Sequence, residues 1–210
     1  MKRLILLALV AAMPTGFGQD GWISLFNGKD FTGWKIGGSQ NTFTIKDGAI
    51  VANGNVAHCF YDGAVSNHDF KNFELKVDVM TAPGSNGGIY FHTQFQDQGF
   101  PRKDFEVQVN NTHRDPIKSG SLYHVQDIGE DVTKSIAKDN EWFTEHIIVQ
   151  GNTVTVRLND KQVVQWTQTA DWNGGREGPG RAIGTGTIAF QGHDPNSTVH
   201  YKNVRIKSLP

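Results

Sequence analysis

From residue 43 almost to the C-terminus, apolar and polar positions alternate with a period of two, which is the signature of half-buried β-strands. The stretch FTIKDGAIVA (43–52) reads as two short strands about an Asp47-Gly48 turn, and FELKVDV (73–79) alternates Phe, Leu, Val and Val with Glu, Lys and Asp. Further strands are predicted over 88–95, 105–109, 145–166, 187–192 and 199–209, with hairpin turns at Gly151-Asn152 and Asn159-Asp160. No long amphipathic helix breaks the pattern, and only a brief one is expected at 133–138. The sequence therefore predicts an all-β fold, an antiparallel two-sheet β-sandwich. Two segments, 123–140 and 171–186, lack strand periodicity, and loops of that length in a compact domain usually serve function.

The strands differ in what their polar faces carry. Glu74, Lys76 and Asp78 on one strand, and Asn203, Arg205 and Lys207 on the last, make an ordinary mixed-charge solvent surface. Tyr90, His92 and Gln94 form a second kind of face, as do Glu106, Gln108 and Asn110, and Gln191 with His193 just past a strand end. Amides, imidazoles and a phenol offer donors and acceptors in planar groups, which suits sugar hydroxyls, and aromatic faces suit the apolar side of a pyranose ring. If these strands are neighbours, they line one groove.

Composition narrows the classes. The chain opens with Lys2, Arg3 and an apolar run over 4–13, followed by small residues. This is the pattern of a secretory signal peptide, too short for a permanent membrane anchor. We expect a signal peptide at 1–19, one domain at 20–210, and an exported protein, periplasmic or extracellular, with no membrane anchor. The whole chain has 20 Lys and Arg against 21 Asp and Glu, and loss of Lys2 and Arg3 brings the net charge to about −3, which gives no footprint for nucleic acid. Cys59 is the one cysteine, so no intrachain disulfide forms, and its VAHCF setting reads as a buried, inert strand position.

FEVQVNN (105–111) carries the sharpest chemical signal. Ordinary glycoside hydrolysis uses two carboxylates about 5 to 9 Å apart, and on one strand face these fall at i and i+2. Here Glu106 holds the first position, but Gln108, Asn110 and Asn111 fill the rest, and an amide is neither nucleophile nor general base. A two-carboxylate hydrolase built on this strand is disfavoured. A single Glu among amides and imidazoles can still serve as a base.

Several motifs together resemble the 3-keto-disaccharide hydrolase domain family. GWISLFNGKDFTGWK (21–35) is similar to the family's opening phrase, and NFELKVDVM, GSNGGIYFH, FEVQV, SGSLYHV, EWFTEHIIVQGNTVTVRLNDKQVV and YKNVRIKSL follow in the family's order, over essentially the whole mature chain. The resemblance implies a concanavalin A-like jelly-roll sandwich with a concave ligand-binding face, and the cleavage of glycosides whose glucose carries a ketone at C3. The ketone acidifies the C2 proton, so one base suffices: it removes that proton, the enolate expels the C1 oxygen, and water adds to the unsaturated ketone. On this resemblance Glu106 is the C2 base or a ligand orienting the ketone, and His92, Gln108 and Gln191 are candidates to stabilise the enolate. His193 or His124 would protonate the leaving oxygen. Tyr90 and Tyr123 would contact the sugar, Lys118 and Arg102 would sit at its rim, and Trp172 is a candidate sugar platform. The resemblance fixes no cofactor, and a divalent ion held by Glu106 with one or more histidines is left open; the partner is a glycoside or oligosaccharide. His92 stands where the family often has Arg, and Asn111 where it often has Asp. The alternative function is a non-catalytic carbohydrate-binding module on the same sandwich.

Overall fold

The computed structural model describes residues 20–103 and 105–210; the expected signal peptide lies outside the described residues. Among the described residues, thirteen strands run in chain order: β1 (Ile23–Ser24), β2 (Trp34–Gly38), β3 (Phe43–Lys46), β4 (Ala49–Ala52), β5 (Ala57–Tyr61), β6 (Phe73–Thr81), β7 (Gly87–Thr93), β8 (Phe105–Val109), β9 (Phe143–Gln150), β10 (Thr153–Leu158), β11 (Lys161–Thr167), β12 (Thr187–Gly192) and β13 (Val199–Ser208). They form two antiparallel sheets, β11-β10-β9-β6-β13-β4-β3 with β1 on the edge of β13, and β2-β5-β12-β7-β8. Strands adjacent in space are often distant in sequence, as the jelly roll requires.

The first sheet behaves as its alternation predicts. Phe73, Leu75, Val77 and Val79 of β6 point to the core, while Glu74, Lys76 and Asp78 face outward opposite Lys207, Arg205 and Lys202 of β13. The hairpins close where expected. Gly151 has φ 57° between β9 and β10, and Asn159 and Asp160, with φ 45° and 66°, turn β10 into β11. Asn and Asp tolerate this left-handed geometry better than other side chains, because their short polar groups can bond the local backbone.

The second sheet is different. Every residue of β5, β7, β8 and β12 is buried, so its outward face is also covered. The cover comes from loops. The 119–123 segment pairs with β8, with Gly120 and Tyr123 N–H donating to the Gln108 and Glu106 carbonyls at 3.0 and 2.9 Å. The 94–103 loop is tied down by Gly38 N–H on the Asp97 carbonyl at 2.7 Å and by Lys103 Nζ on the Thr185 carbonyl at 3.0 Å.

The short helix α1 spans Glu130–Lys134, slightly earlier than the sequence suggested. Glu130 and Asp131 in its first turn suit the positive helix N-terminus, and Glu130 pairs with Lys134 at 2.8 Å. Cys59 lies fully buried in the core, where burial pushes its thiol pKa far up and leaves it unreactive.

Candidate active site

Glu106 lies at the centre of the covered face. It is paired directly across the ladder with Tyr90, whose hydroxyl donates to Oε2 at 2.8 Å. Gln191, from β12 on the other side of β7, donates its amide to Oε1 at 3.1 Å and to the Tyr90 oxygen at 2.8 Å. Three strands thus fix one carboxylate. Gly88 makes room for it: a Cβ there would stand 2.2 Å from Glu106 Oε1, so the carboxylate lies across the bare backbone of β7. Neighbouring Gly87 does the same on the core side, where a Cβ would meet the Tyr201 hydroxyl at 2.7 Å.

Above this floor is a cleft of about 530 Å³, within the range of small-molecule sites. It is lined by Asn86, Tyr90, Glu106, Gln108, Gln191 and His193 from the sheet and its ends, and by Phe100, Pro101, Arg102, Asp115, Tyr123 and Arg181 from the covering loops. Polar planar groups and aromatics therefore converge on the carboxylate. His193 is oriented by Asp194, whose Oδ2 is 2.7 Å from its Nδ1 and also accepts from Ser197 Oγ at 2.8 Å. Burial works against charge on Asp194, but these bonds and the Asn196 amide prevail and hold its carboxyl below the usual range. With Nδ1 engaged, Nε2 is the nitrogen left for chemistry.

Two further imidazoles stand nearby. His58 on β5 is 1 % exposed and meets the Tyr90 ring edge-on at 5.1 Å. Burial, then repulsion from His193, pulls its pKa down to about 4, so it is neutral at ordinary pH. His113, 5.7 Å from His193 between ring centroids, is held below the usual histidine range by burial and then by His193.

Of the residues expected at the site, Glu106, Tyr90, Gln108, Gln191, His193, Tyr123 and Arg102 do line one cleft. His92 does not. Tyr90 pairs with Ala189 but Thr93 with Thr187, so β7 has one more residue than β12 between these points, and His92 sits in that bulge at φ 52°. The bulge reverses the parity on which the sequence reading relied. His92 points away from the cleft, with Nε2 2.9 Å from the Lys71 carbonyl and Nδ1 3.3 Å from the Gly184 amide. Lys118 is likewise withdrawn, 5 % exposed, its ammonium donating to the carbonyls of His113 and Asp115 at 2.6 and 2.8 Å. It braces the loop that carries Asp115.

His124 packs on Tyr123 at 4.1 Å without lining the cleft. Trp172 is a strut and not a platform: its Nε1 donates to the Arg181 carbonyl at 2.7 Å and its ring meets Trp166 at 4.9 Å. Asn110 and Asn111 are structural. The first binds the carbonyls of Asp115 and Ile117 and the His113 amide, while the second holds Thr81 and Ser119.

Sequence reasoning missed Arg181, Asp115, Asn86 and Phe100. Arg181, 3 % exposed, donates to the Tyr123 carbonyl at 2.7 Å and brings a guanidinium to the cleft from the Gly-rich segment. Its signal was one of two Arg residues, Arg176 and Arg181, in a long Gly-rich loop. Asp115 adds a second carboxylate from outside β8, where the i, i+2 spacing test does not look. Among the described residues, no group of three or more His, Cys, Asp and Glu side chains is placed to hold a metal ion.

Comparison with known proteins agrees with this architecture. A relative from Bacteroides thetaiotaomicron, a 3-keto-disaccharide hydrolase, is 28% identical over 90% of this chain and 79% of its own length. A crystal structure from Parabacteroides distasonis, described provisionally as a glycosyl hydrolase, superposes with a TM-score of 0.76 at 27% identity, covering 91% of this chain and 95% of that one. A β-glucanase from Bacillus licheniformis shares the fold, with a TM-score of 0.57 at 11% identity over 92% of this chain and all of its own. The model of the 3-keto-alpha-glucoside-1,2-lyase-like domain matches residues 21–207. By that match, which spans nearly all of the described sandwich, the chain belongs to the 3-keto-alpha-glucoside-1,2-lyase-like domain family.

Proposed function

We propose that this chain cleaves glycosides whose glucose unit carries a C3 ketone, by elimination across C1–C2 followed by addition of water. The family and its Bacteroides relative support a carbohydrate hydrolase-like function. The finer reading rests on one observation: the Glu106 carboxylate is fixed from two sides by Tyr90 and Gln191 on the floor of a cleft that also holds a buried guanidinium, Arg181.

In this reading Glu106 takes the C2 proton, and the electron pair moves toward the C3 oxygen. Arg181 and the Gln108 amide offer positive charge and donors for that enolate. Collapse of the enolate breaks the C1–O bond, and His193 gives a proton to the departing oxygen. Water then adds at C1 of the unsaturated ketone, C2 regains a proton, and 3-keto-glucose is released. Tyr90 and Gln191 hold the base in one position, and fixed geometry of this kind carries much of catalysis. Export, inferred from the N-terminal segment, is part of the proposal: the substrate would be met outside the cytoplasm.

The test is incubation with a 3-keto-glucoside and with its unoxidised parent in deuterated water. Turnover of the keto sugar alone, with deuterium entering C2 and with loss on Glu106→Gln, supports elimination. Cleavage of the parent would instead point to Asp115 and Glu106 acting as a carboxylate pair, and binding without turnover to a carbohydrate-binding module.

A further inference from the structure

Phe100 is the most exposed of the large apolar side chains singled out among the described residues, at 48 %. An apolar ring left half in water forgoes much of the stabilisation that full burial would give, yet this one is firmly presented. The Gln96 amide donates to its carbonyl at 2.9 Å, and its ring meets His58 edge-on at 5.6 Å. Its loop is clamped at both ends against backbone that has no side chain: a Cβ on Gly37 would stand 2.0 Å from the Gln96 carbonyl oxygen, and one on Gly180 would stand 2.3 Å from that of Arg102. The ring therefore lines the cleft in a fixed position, with its centroid 6.4 Å from that of His193.

We propose that Phe100 is the platform for the leaving group, so that the site prefers leaving groups presenting a ring with an apolar face, such as a second pyranose. The inference rests on His193 acting at the leaving oxygen. A group bonded to that oxygen lies beside His193 and within one ring's reach of Phe100. C–H faces of a pyranose are attracted to an aromatic face and exclude water from it, which gives the exposed ring an occupant. A small leaving group such as methoxide would leave the platform bare.

The experiment compares wild type, Phe100→Ala and Phe100→Tyr on a 3-keto-disaccharide and on methyl 3-keto-glucoside. For the alanine variant, the ratio of kcat/KM for the disaccharide to that for the methyl glycoside is expected to fall about tenfold, equivalent to about 1.4 kcal/mol. Tyrosine should restore the wild-type ratio. Equal losses on both substrates, or no loss on either, would overturn the platform. Calorimetric titration of the same proteins with the unoxidised disaccharide and methyl glucoside keeps the two questions separate. If neither keto sugar is turned over, the elimination reading falls, while a disaccharide preference that disappears in Phe100→Ala still supports the platform. A wild-type protein that binds the disaccharide no better than methyl glucoside sinks it.

Discussion

Replacing Gly88 with alanine adds one methyl group at the point where the Glu106 carboxylate crosses β7. The new carbon would stand 2.2 Å from Oε1, 2.9 Å from Cδ and 3.0 Å from Cγ. Ordinary contact requires the carboxylate to retreat by about 1 Å. That movement cannot preserve both the 2.8 Å bond from Tyr90 and the 3.1 Å bond from Gln191, each of a kind worth about 1.5 to 3 kcal/mol to a charged group. A 1 Å misplacement of a reacting group costs about 100-fold in rate, so kcat on a 3-keto-glucoside should fall by about that factor. Stability should fall modestly, by about 1 to 2 kcal/mol, the lost bond being partly offset by the more restricted unfolded chain. Gly88 is outside the left-handed region, the displaced atoms end a flexible side chain facing the cleft, and alanine removes about 0.4 to 1 kcal/mol of unfolded-state entropy. The assay is steady-state kinetics beside thermal unfolding. Activity within threefold of wild type would show that the position of Glu106 does not limit the reaction, and the reasoning would fail.

Two buried ionisable groups predict opposite pH responses. His58 titrates near 4 in the fold against 6.5 when unfolded, so protons favour the unfolded chain: stability is full above pH 6.5 and declines by about 3 kcal/mol as the pH falls to 4. His58→Gln should flatten that slope in pH-dependent urea unfolding. Glu145, wholly buried on the core side of β9, has its carboxyl pushed well above the usual range by burial, reinforced by Glu106 and partly countered by the Gly120 amide. Here the folded state keeps a proton that the unfolded state gives up, so stability falls as the pH rises above the ordinary glutamate range. Glu145→Gln should therefore raise Tm more at pH 8 than at pH 5; an equal change at both would contradict a protonated Glu145.

The strand ladder was legible because period-two burial is local. Thr187–Gly192 could be read residue for residue, and the contrast between Glu74-Lys76-Asp78 and Glu106-Gln108 separated the solvent face from the covered one. Parity failed at His92 because a bulge is a property of two strands. One residue more on β7 than on β12 flips everything beyond it, and neither strand alone records the mismatch. WKIGG of β2 escaped notice for lack of alternation. Arg181, Asp115 and Phe100 reach the cleft from loops whose own sequence periodicity is silent. Their positions depend on anchors such as Trp172 on the Arg181 carbonyl and Lys118 on the Asp115 carbonyl, which only the folded chain brings together.

Gly87 and Gly88 are adjacent codons that answer to different selections. A side chain at 87 would press on Tyr201, wholly buried and stacked on Phe190 at 4.3 Å, whereas one at 88 would press on the carboxylate in the cleft. In a saturation library the first position should yield insoluble protein and the second soluble protein without turnover. The backbone of β7 is thus the membrane between two genetic screens, one for folding and one for chemistry, and soluble yield measured beside activity would tell which side of it a lesion has struck.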